Sequence, residues 1–250
     1  MNSISILGIK ITDASVNEIH SFILEKCKNN EKTLLLNVNI NAMNLVLKLP
    51  WFKKFINSSP LVQCDGIGPI IGTRILGYKF KNPRLTYADW IYLLSNFCAE
   101  NGLTLFFLGA KHGIAEKAKK RLQSMYPDLK ILGTYHGYFD KEGEENKRVI
   151  NIINKVKPNL LLVGFGMPLQ EKWLMENYEK IEANVFLTAG ACFDYASGTL
   201  KRGPKWMTDH GLEWLARFLI EPRRLWKRYL IGNIIFFVRI LKHKIRWVDK

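Results

Sequence analysis

A carboxylate followed by glycines ends a short apolar run in residues 61–72. The run begins at Leu61 and ends at Asp65, and Gly66 and Gly68 follow at once. This pattern predicts a carboxylate at the tip of a buried strand, on a turn where the backbone can come close to a ligand. Ligands of open α/β sheets bind outside the carboxyl ends of the strands, so Asp65 is a candidate general base. Asp-Gly is also an ordinary turn signal and Asp often caps a helix, so the local pattern leaves both interpretations open.

Polar side chains follow other predicted strands. Asn37 and Asn39 come after the apolar run 33–36 and before a predicted helix from residue 40 to 49. Their amides can donate to and accept from a polar ligand, although capping is the use that the local pattern favours. Arg84 precedes a helix predicted to begin near residue 86, where it could hold a phosphate or be a solvated loop charge.

Two turns in the second half are rich in glycine, at Gly109 and Gly164. A helix N-terminus behind such a turn can bind an anion, because its N–H groups and dipole point at the ligand. Neither turn completes a Gly-x-Gly-x-x-Gly or a Walker motif, so the usual dinucleotide and ATP sites are not supported. A nucleotide bound in another way stays open, and so does simple packing of the glycines.

The elements that position these residues alternate between strand and helix. Apolar runs at 103–108, 129–133, 159–163 and 184–187 alternate with helical patterns. This alternation predicts an α/β fold, a Rossmann-like parallel sheet with helices on both faces. A loop from residue 198 then separates a domain of residues 1–197 from a helical, basic C-terminal appendage of residues 198–250.

Composition and charge narrow the class of protein. The chain has 250 residues, of which 48% are hydrophobic, so it is long enough and apolar enough to bury a core. Its four cysteines form no Cys-x-x-Cys pair and show no zinc spacing with histidine, which favours reduced thiols in a cytosolic protein. The N-terminus shows no secretion-signal pattern, and we expect none.

The positive charge is concentrated in the last 50 residues. The net charge is +15, and residues 201–250 contain 13 Lys or Arg against 4 Asp or Glu, together with four of the seven tryptophans. Apolar stripes alternate with the charges, and the most apolar stretch, 229–241, is shorter than the roughly 20 residues that span a bilayer. The pattern predicts an appendage lying on a membrane surface, or helices docked on the core with their charges in water.

Three longer motifs lie in the second half of the chain. They are Gly164-Phe-Gly-Met-Pro-Leu-Gln-Glu-Lys-Trp173, Gly190-Ala-Cys-Phe-Asp-Tyr-Ala-Ser-Gly198, and Arg202-Gly-Pro-Lys-Trp-Met207 running into Gly211-Leu-Glu-Trp-Leu-Ala-Arg217 and Glu221-Pro-Arg-Arg224. In this order they resemble the WecG/TagA/CpsF family of glycosyltransferases. Asp65-Gly-Ile-Gly68 stands where that family carries its Asp-Gly. The resemblance covers nearly the whole chain, and three long motifs in order are far more specific than a single glycine loop.

The resemblance implies a metal-independent, inverting transfer of a sugar from a UDP-sugar to a polyprenyl-diphosphate-linked sugar. Typical members add N-acetylmannosamine to lipid-linked N-acetylglucosamine, as in teichoic acid linkage units, and others move different hexoses in exopolysaccharide assembly. No cofactor besides the UDP-sugar substrate is implied. The expected location is cytoplasmic, peripheral on the inner face of the membrane, with the appendage completing the active site and a homo-oligomer as a possible state.

The resemblance also implies roles for individual residues. Asp65 is the expected base for the acceptor hydroxyl, beside Gly66. The positions expected near the nucleotide-sugar are Gly109, Tyr138 (stacked on uracil), Gly164, Gly166, Gln170 and Asp194 (on a ribose hydroxyl). Those expected near the sugars or phosphates are Asn37, Asn39 and Arg84. The cations expected to hold the lipid diphosphate are Arg217, Arg224, Lys227 and Arg228, and the arginine fork suits phosphate.

The sequence departs from the family pattern at two places that face the sugars. Asn37 stands where many members have Thr, and the stretch 84–89 lacks the usual Gly before its Ala-Asp. These departures concern the donor sugar. N-acetylmannosamine is the first choice, and glucose or another hexose is the alternative.

Two other classes of protein compete with this interpretation. A nucleic-acid-binding protein would explain the basic tail, but the apolar stripes there are broader than phosphate contacts need. A nucleotide-sugar epimerase or dehydrogenase would need a glycine fingerprint and a Tyr-x-x-x-Lys pair. The segment Tyr138-Phe-Asp-Lys141 is one residue too short for that pair.

Overall fold

The computed structural model describes residues 1–82 and 84–248, and the side chains up to residue 245. Eight strands lie within these residues: β1 (Asn2–Ile6), β2 (Ile9–Asp13), β3 (Thr33–Val38), β4 (Leu61–Cys64), β5 (Thr104–Gly109), β6 (Lys130–Tyr135), β7 (Leu160–Gly164) and β8 (Val185–Thr188).

The helices alternate with these strands and then continue alone to the C-terminal end. They are α1 (Val16–Lys28), α2 (Ile40–Lys48), α3 (Pro50–Ser58), α4 (Ile67–Ile75), α5 (Tyr87–Glu100), α6 (Ile114–Met125), α7 (Gly143–Val156), α8 (Leu169–Asn177), α9 (Cys192–Ala196), α10 (Lys205–Asp209), α11 (Glu213–Ile220), α12 (Pro222–Trp226) and α13 (Gly232–Val248). A short 3-10 helix (Tyr178–Lys180) follows α8, and a π-helical turn (Lys227–Ile231) joins α12 to α13.

The strands form a hairpin and one larger sheet. β1 pairs antiparallel with β2, and the other six strands are ordered β4-β3-β8-β7-β5-β6. The pairs β3–β8, β7–β8, β5–β7 and β5–β6 are parallel. Every residue of β3, β4, β7 and β8 is buried, as expected for parallel strands covered on both faces. The predicted fold class, a parallel α/β sheet flanked by helices with a helical C-terminal part, is confirmed.

The contacts divide the chain into two compact units. The first unit contains residues 1–15, 37–86 and 201–250, and the second contains 16–36 and 87–200. The last 50 residues therefore share a unit with the segment that carries Asp65. The predicted boundary at residue 198 stays a prediction, because the compact units follow contacts and not chain order.

The second unit is built around strands whose central side chains are apolar. Residues 105–108, 160–163 and 185–187 are almost completely buried. Trp90 of α5 and Trp173 of α8 add the largest buried side chains of this unit. Burial of aromatic side chains on this scale is a large hydrophobic contribution to folding.

In the first unit, α13 packs on α2 and α4 through one face. Phe236 and Ile240 are fully buried, and a side chain at Gly72 of α4 would come within 2.7 Å of the Phe236 ring. Polar contacts fix the same face, since Arg239 Nη1 donates to the Met43 carbonyl oxygen at 2.6 Å. None of the helices in the described part of the chain is long and apolar enough to cross a membrane.

The sequence does not predict five of the helices in the described residues, which are α3, α4, α9, α10 and α13. α3 and α10 are short, and α10 directly follows Pro204, where a loop is the simpler prediction. α13 continues well past the apolar stretch 229–241, and Lys242 and Lys244 in its next turn are exposed.

Candidate functional site

Asp65 stands directly after β4 in the first unit, as predicted. Its backbone N–H donates to the Val38 carbonyl oxygen at 2.9 Å, and Asp65 also forms an isolated parallel bridge with Leu85. The preceding strand is buried, whereas Asp65 itself is half-buried. The backbone is therefore fixed on two sides while the carboxylate stands at the border of the core and solvent.

Asn39 supports this carboxylate. Its Nδ2 lies 3.5 Å from Asp65 Oδ2, and its Oδ1 accepts a hydrogen bond from the N–H of Ala42 at 3.2 Å. The capping role that the local pattern favoured is thus present, and the other end of the same amide faces the candidate base. Asn37, two residues before Asn39, is buried in β3. Whether either residue contacts a sugar stays a prediction.

The turn after Asp65 leaves open space beside Gly66. Gly66 has φ +83°, a conformation that favours glycine, and no described atom outside Gly66 and its two chain neighbours lies within 4 Å of where its Cβ would be. Gly68 is different, because a Cβ there would collide with the side chain of Ile40. One glycine thus permits the turn and a close approach from solvent, and the other permits helix packing.

Arg84 is held by the C-terminal part of the first unit. Its Nη1 lies 3.2 Å from Glu213 Oε2, and its Nη2 donates to the Thr208 carbonyl oxygen at 2.7 Å. Arg202 Nη2 lies 3.1 Å from the other oxygen of Glu213. The guanidinium of Arg84 is therefore neither a solvated loop charge nor isolated, but part of a three-residue ionic cluster next to Leu85.

The arginines predicted for the lipid diphosphate share a second carboxylate. Arg217 Nη2 lies 3.1 Å from Glu221 Oε2, and Arg224 Nη2 lies 2.6 Å from the same atom. Arg217 is largely buried, whereas the side chain of Arg224 is 62% exposed and can reach a ligand in solvent. The first unit thus brings these two predicted residues together.

Lys227 and Arg228, the remaining predicted cations, lie on the π-helical turn after α12. Lys227 Nζ is 5.5 Å from the ring centre of Trp226, and Arg228 is 5.5 Å from that of Tyr229. Both contacts are of the cation–π type, and both side chains are exposed.

Tyr229 is a residue of this region that the sequence interpretation missed. Burial raises the pKa of its phenol, the nearby Arg228 and Arg217 lower it, and the carboxylates of Asp65 and Glu213 raise it further. Its ring lies 6.0 Å from that of Trp214. A half-buried tyrosine in a mostly apolar and basic stretch carries no sequence signal of its own, because only the fold brings it near these charges.

Gly109 and Gly164 serve close backbone packing in the second unit. Gly109 has φ +154°, and a Cβ there would collide with the Gly164 carbonyl group. The N–H of Ala110 donates to the Gly164 carbonyl oxygen at 3.0 Å, and the N–H of Gly137 donates to the Ala110 carbonyl oxygen at 2.8 Å. The packing alternative left open by the sequence is therefore present at both turns, while a role in anion binding stays a prediction.

Gln170 connects the turns that follow β7 and β8. Its Oε1 accepts hydrogen bonds from the N–H of Gly166 at 3.2 Å and of Gly190 at 3.1 Å, and its Nε2 donates to Glu171 Oε1 at 2.8 Å. Gln170 is completely buried. These contacts position the turns, so the predicted contact with the nucleotide-sugar would have to be indirect or use the remaining N–H.

Glu171 is a buried residue to which the sequence interpretation assigned no role. It is fully buried, and burial raises the pKa of its carboxyl group to about 7, while the hydrogen bond from Gln170 lowers it. Its Oε2 makes no hydrogen bond to any described residue. The signal available was its position directly after Gln170 in the longest glycine motif.

Tyr138 stands on a loop after β6, with its side chain 67% exposed. Lys141 fixes this loop, since its Nζ donates to the carbonyl oxygens of Gly137 and Phe139, each at 2.7 Å. The same ammonium lies 3.6 Å from the ring centre of Phe139, and burial lowers the pKa of Lys141 to about 8. An exposed ring on a fixed loop is a suitable surface for stacking a base.

Asp194 lies on the short helix α9 and is half-buried. Its carbonyl oxygen accepts a hydrogen bond from the N–H of Leu200 at 2.9 Å, which closes the turn after the helix. Gly166 has φ +86°, and no described atom outside Gly166 and its two chain neighbours lies within 4 Å of its Cβ position. Within the described side chains, no group of three or more His, Cys, Asp or Glu is arranged to hold a metal ion.

Comparison with known proteins assigns the chain to a class and then to a family. The model of the glycosyl transferase WecG/TagA/CpsF family matches residues 4–250. Three curated relatives from Staphylococcus aureus strains NCTC 8325, COL and MW2 are each 26% identical over 251 residues, covering 97% of this chain and 94% of the relative. Each is named N-acetylglucosaminyldiphosphoundecaprenol N-acetyl-beta-D-mannosaminyltransferase.

The protein is a glycosyltransferase, as the parallel α/β fold and the carboxylate at a strand end allow. It belongs to the WecG/TagA/CpsF family, because the family model covers almost the entire chain. The resemblance inferred from the three motifs is confirmed.

Proposed function

We propose that this protein transfers a hexose, with N-acetylmannosamine as first choice, from a UDP-sugar to a polyprenyl-diphosphate-linked N-acetylglucosamine. The names of the Staphylococcus aureus relatives support the sugar and the acceptor. The observation that carries the proposal is the Asp65 carboxylate, which stands on an open glycine turn and is oriented by Asn39. The cations on which an acceptor diphosphate could bind lie in the same unit.

The proposed reaction inverts the anomeric carbon in one displacement. Asp65 accepts the proton of the acceptor hydroxyl while that oxygen forms its bond to the anomeric carbon of the donor sugar. The bond from that carbon to the UDP oxygen breaks at the same time, and UDP leaves with the electron pair. One base is enough for this chemistry, and the half-buried position of Asp65 suits it.

Charge on the departing diphosphate must be stabilised for this displacement. We propose that arginine side chains and backbone N–H groups do this without a divalent metal. Arg84, in the unit that contains Asp65, is the candidate arginine for this role. The guanidinium group suits the task because it stays charged and binds phosphate oxygens in pairs.

Membrane association is proposed for α13. Ile234, Val238, Leu241 and Ile245 are all exposed and lie at helical spacing, whereas Phe236 and Ile240 of the same helix are buried. An exposed apolar stripe beside Lys and Arg side chains is typical of a helix that lies in the interface of an anionic membrane. We propose the inner face of the cytoplasmic membrane as its location, as the family resemblance implies.

The proposed reaction is tested by mixing the purified protein with a panel of UDP-sugars and lipid-diphosphate-linked N-acetylglucosamine, with EDTA present. The panel includes UDP-N-acetylmannosamine and UDP-glucose. UDP release and the mass of the lipid product identify the donor. Release with UDP-N-acetylmannosamine that survives EDTA supports the proposal in full. Release with another hexose changes the donor alone, and loss of activity in EDTA that Mg²⁺ or Mn²⁺ restores contradicts metal independence.

The membrane proposal is tested by co-sedimentation with vesicles of phosphatidylglycerol and phosphatidylcholine. Val238→Asp should lose binding to the anionic vesicles. Leu93→Asp is the matched control, because Leu93 is an exposed leucine on a helix of the other unit. Duplex DNA at the same salt concentration tests the competing interpretation. Tighter binding to DNA than to vesicles, unaffected by Val238→Asp, would contradict the membrane role.

A further inference from the structure

Glu213 uses both oxygens of its carboxylate, and each takes a different arginine. Oε2 lies 3.2 Å from Arg84 Nη1, and Oε1 lies 3.1 Å from Arg202 Nη2. The three side chains together keep one net positive charge. One carboxylate thus sets the positions of two guanidinium groups whose chain positions are 129 and 11 residues from its own.

The cluster is shielded enough for these contacts to matter. The side chains of Arg84, Glu213 and Arg202 are 16%, 19% and 29% exposed. Exposed ion pairs contribute little, but removing one member of a partly buried cluster leaves the others with unpaired charge. Without the carboxylate, the two guanidinium groups would repel each other and lose their shared position.

The cluster lies beside the turn that carries the candidate base. Leu85, the neighbour of Arg84, forms the isolated bridge with Asp65. Gly211, two residues before Glu213, lies so close to Ile67 that an added Cβ would be 3.1 Å from its side chain. Gly211 and Glu213 therefore contact two segments next to Asp65, which are the turn that follows it and the segment that carries its bridge partner Leu85.

We propose that Glu213 is a positioning residue for sugar transfer. It holds the Arg84 guanidinium at a fixed place relative to Asp65, with the Thr208 carbonyl oxygen as the second support at 2.7 Å. The inference rests on the proposed function, because it takes Arg84 as the residue that meets the donor diphosphate. Glu213 itself touches no substrate in this scheme and acts only through Arg84.

This assignment makes a specific prediction about coupling between the two residues. Glu213→Gln keeps the shape of the side chain but removes its charge, so Arg84 loses its position. We expect kcat/KM for the UDP-sugar to fall roughly ten- to hundredfold, as misplaced groups do. In an Arg84→Ala background the same change should have almost no further effect, because the residue it positions is gone.

The experiment is a double-mutant cycle of Glu213→Gln and Arg84→Ala, measured as kcat and KM for the donor. Glu182→Gln is the control. Glu182 belongs to the other unit, and its exposed side chain forms an ion pair with Lys157 at 2.6 Å. Glu213→Asp is the second variant, and it should retain more activity than Glu213→Gln because it keeps the charge. If Glu213→Gln does not fold, the Asp variant replaces it in the cycle.

The positioning role would be overturned if the losses of the two single mutants multiply in the double mutant, or if Glu213→Gln is fully active. In either case, transfer by the wild-type protein would still support the proposed function. Wild-type protein that transfers no hexose from any UDP-sugar would overturn the proposed function and the inference together. The positioning role is supported if Glu213→Gln lowers kcat/KM in the wild-type background but not in the Arg84→Ala background.

Discussion

Asn39 divides its side-chain amide between a helix cap and a carboxylate. Oδ1 accepts the N–H of Ala42 at 3.2 Å, and Nδ2 lies 3.5 Å from Oδ2 of Asp65. The strands that precede these two residues are neighbours in the sheet order. The start of α2 therefore fixes the direction in which the candidate base points.

The two roles of Asn39 are separable by substitution. Asn39→Ser keeps a capping oxygen but cannot reach Asp65, so we expect near-normal stability and reduced transfer. Asn39→Ala removes both contacts and should in addition lower the free energy of unfolding by about 1 kcal/mol. Denaturant unfolding and initial transfer rates measure the two effects. Full transfer activity of Asn39→Ser would contradict the orienting role.

Gln170 is predicted to act on the turns of the second unit. Gln170→Leu leaves the N–H groups of Gly166 and Gly190 without their acceptor, at a cost of about 1–3 kcal/mol of stability. We expect a raised KM for the donor, because the family resemblance places Gly166 near the nucleotide-sugar. Gln170→Glu keeps an acceptor oxygen and is the comparison. A raised KM with unchanged unfolding would indicate direct substrate contact instead.

Glu171 should make stability depend on pH. Its pKa in the folded protein is raised to about 7 from an ordinary value of 4.5, so the folded state binds more protons than the unfolded state between these values. The stabilisation is complete below about pH 4.5 and is lost as pH rises through about 7, and it amounts to about 3 kcal/mol.

Glu171→Gln should remove this pH dependence, because an amide stays neutral at every pH. We expect the variant to gain stability relative to wild type at pH 8 and to differ little at pH 5. Glu176→Gln, on the same helix but exposed, is the control. The prediction is checked by unfolding curves of wild type, Glu171→Gln and Glu176→Gln at both pH values. Equal slopes for wild type and Glu171→Gln would show that Glu171 is not the group responsible.

Arg224 is predicted to bind the acceptor diphosphate. It is exposed and shares Glu221 with the largely buried Arg217. Arg224→Ala should lower transfer at low concentrations of the lipid acceptor and much less at saturation. Its neighbour Arg223, for which the sequence interpretation assigns no role, supplies the control Arg223→Ala. The role would be disproved by unchanged rates of Arg224→Ala at low acceptor concentration.

The sequence was sufficient for features that depend on local patterns. Buried parallel strands are short apolar runs, so the sheet and the place of Asp65 at a strand end were predictable. The cap at Asn39 was predictable for the same reason, because the capping side chain and the N–H group of Ala42 that it binds are close in sequence.

Contacts across long chain separations were beyond the sequence. Arg84 and Glu213 are 129 residues apart, and no periodicity in one sequence pairs them. The burial of Gln170 and Glu171 could not be predicted either. Polar residues of these types are usually exposed, and only the packing of α8 encloses them. The same holds for Tyr229, which the fold brings towards Asp65.

The central claim is that Asp65 is the base for the acceptor hydroxyl. The most direct measurement compares wild type and Asp65→Asn in single-turnover transfer, with UDP binding measured by calorimetry in the same samples. The variant keeps the size of the side chain but cannot accept the proton. We predict that transfer falls by roughly 10²–10⁴-fold while UDP binds with unchanged affinity. Transfer by Asp65→Asn at the wild-type rate would contradict the claim and require a different base.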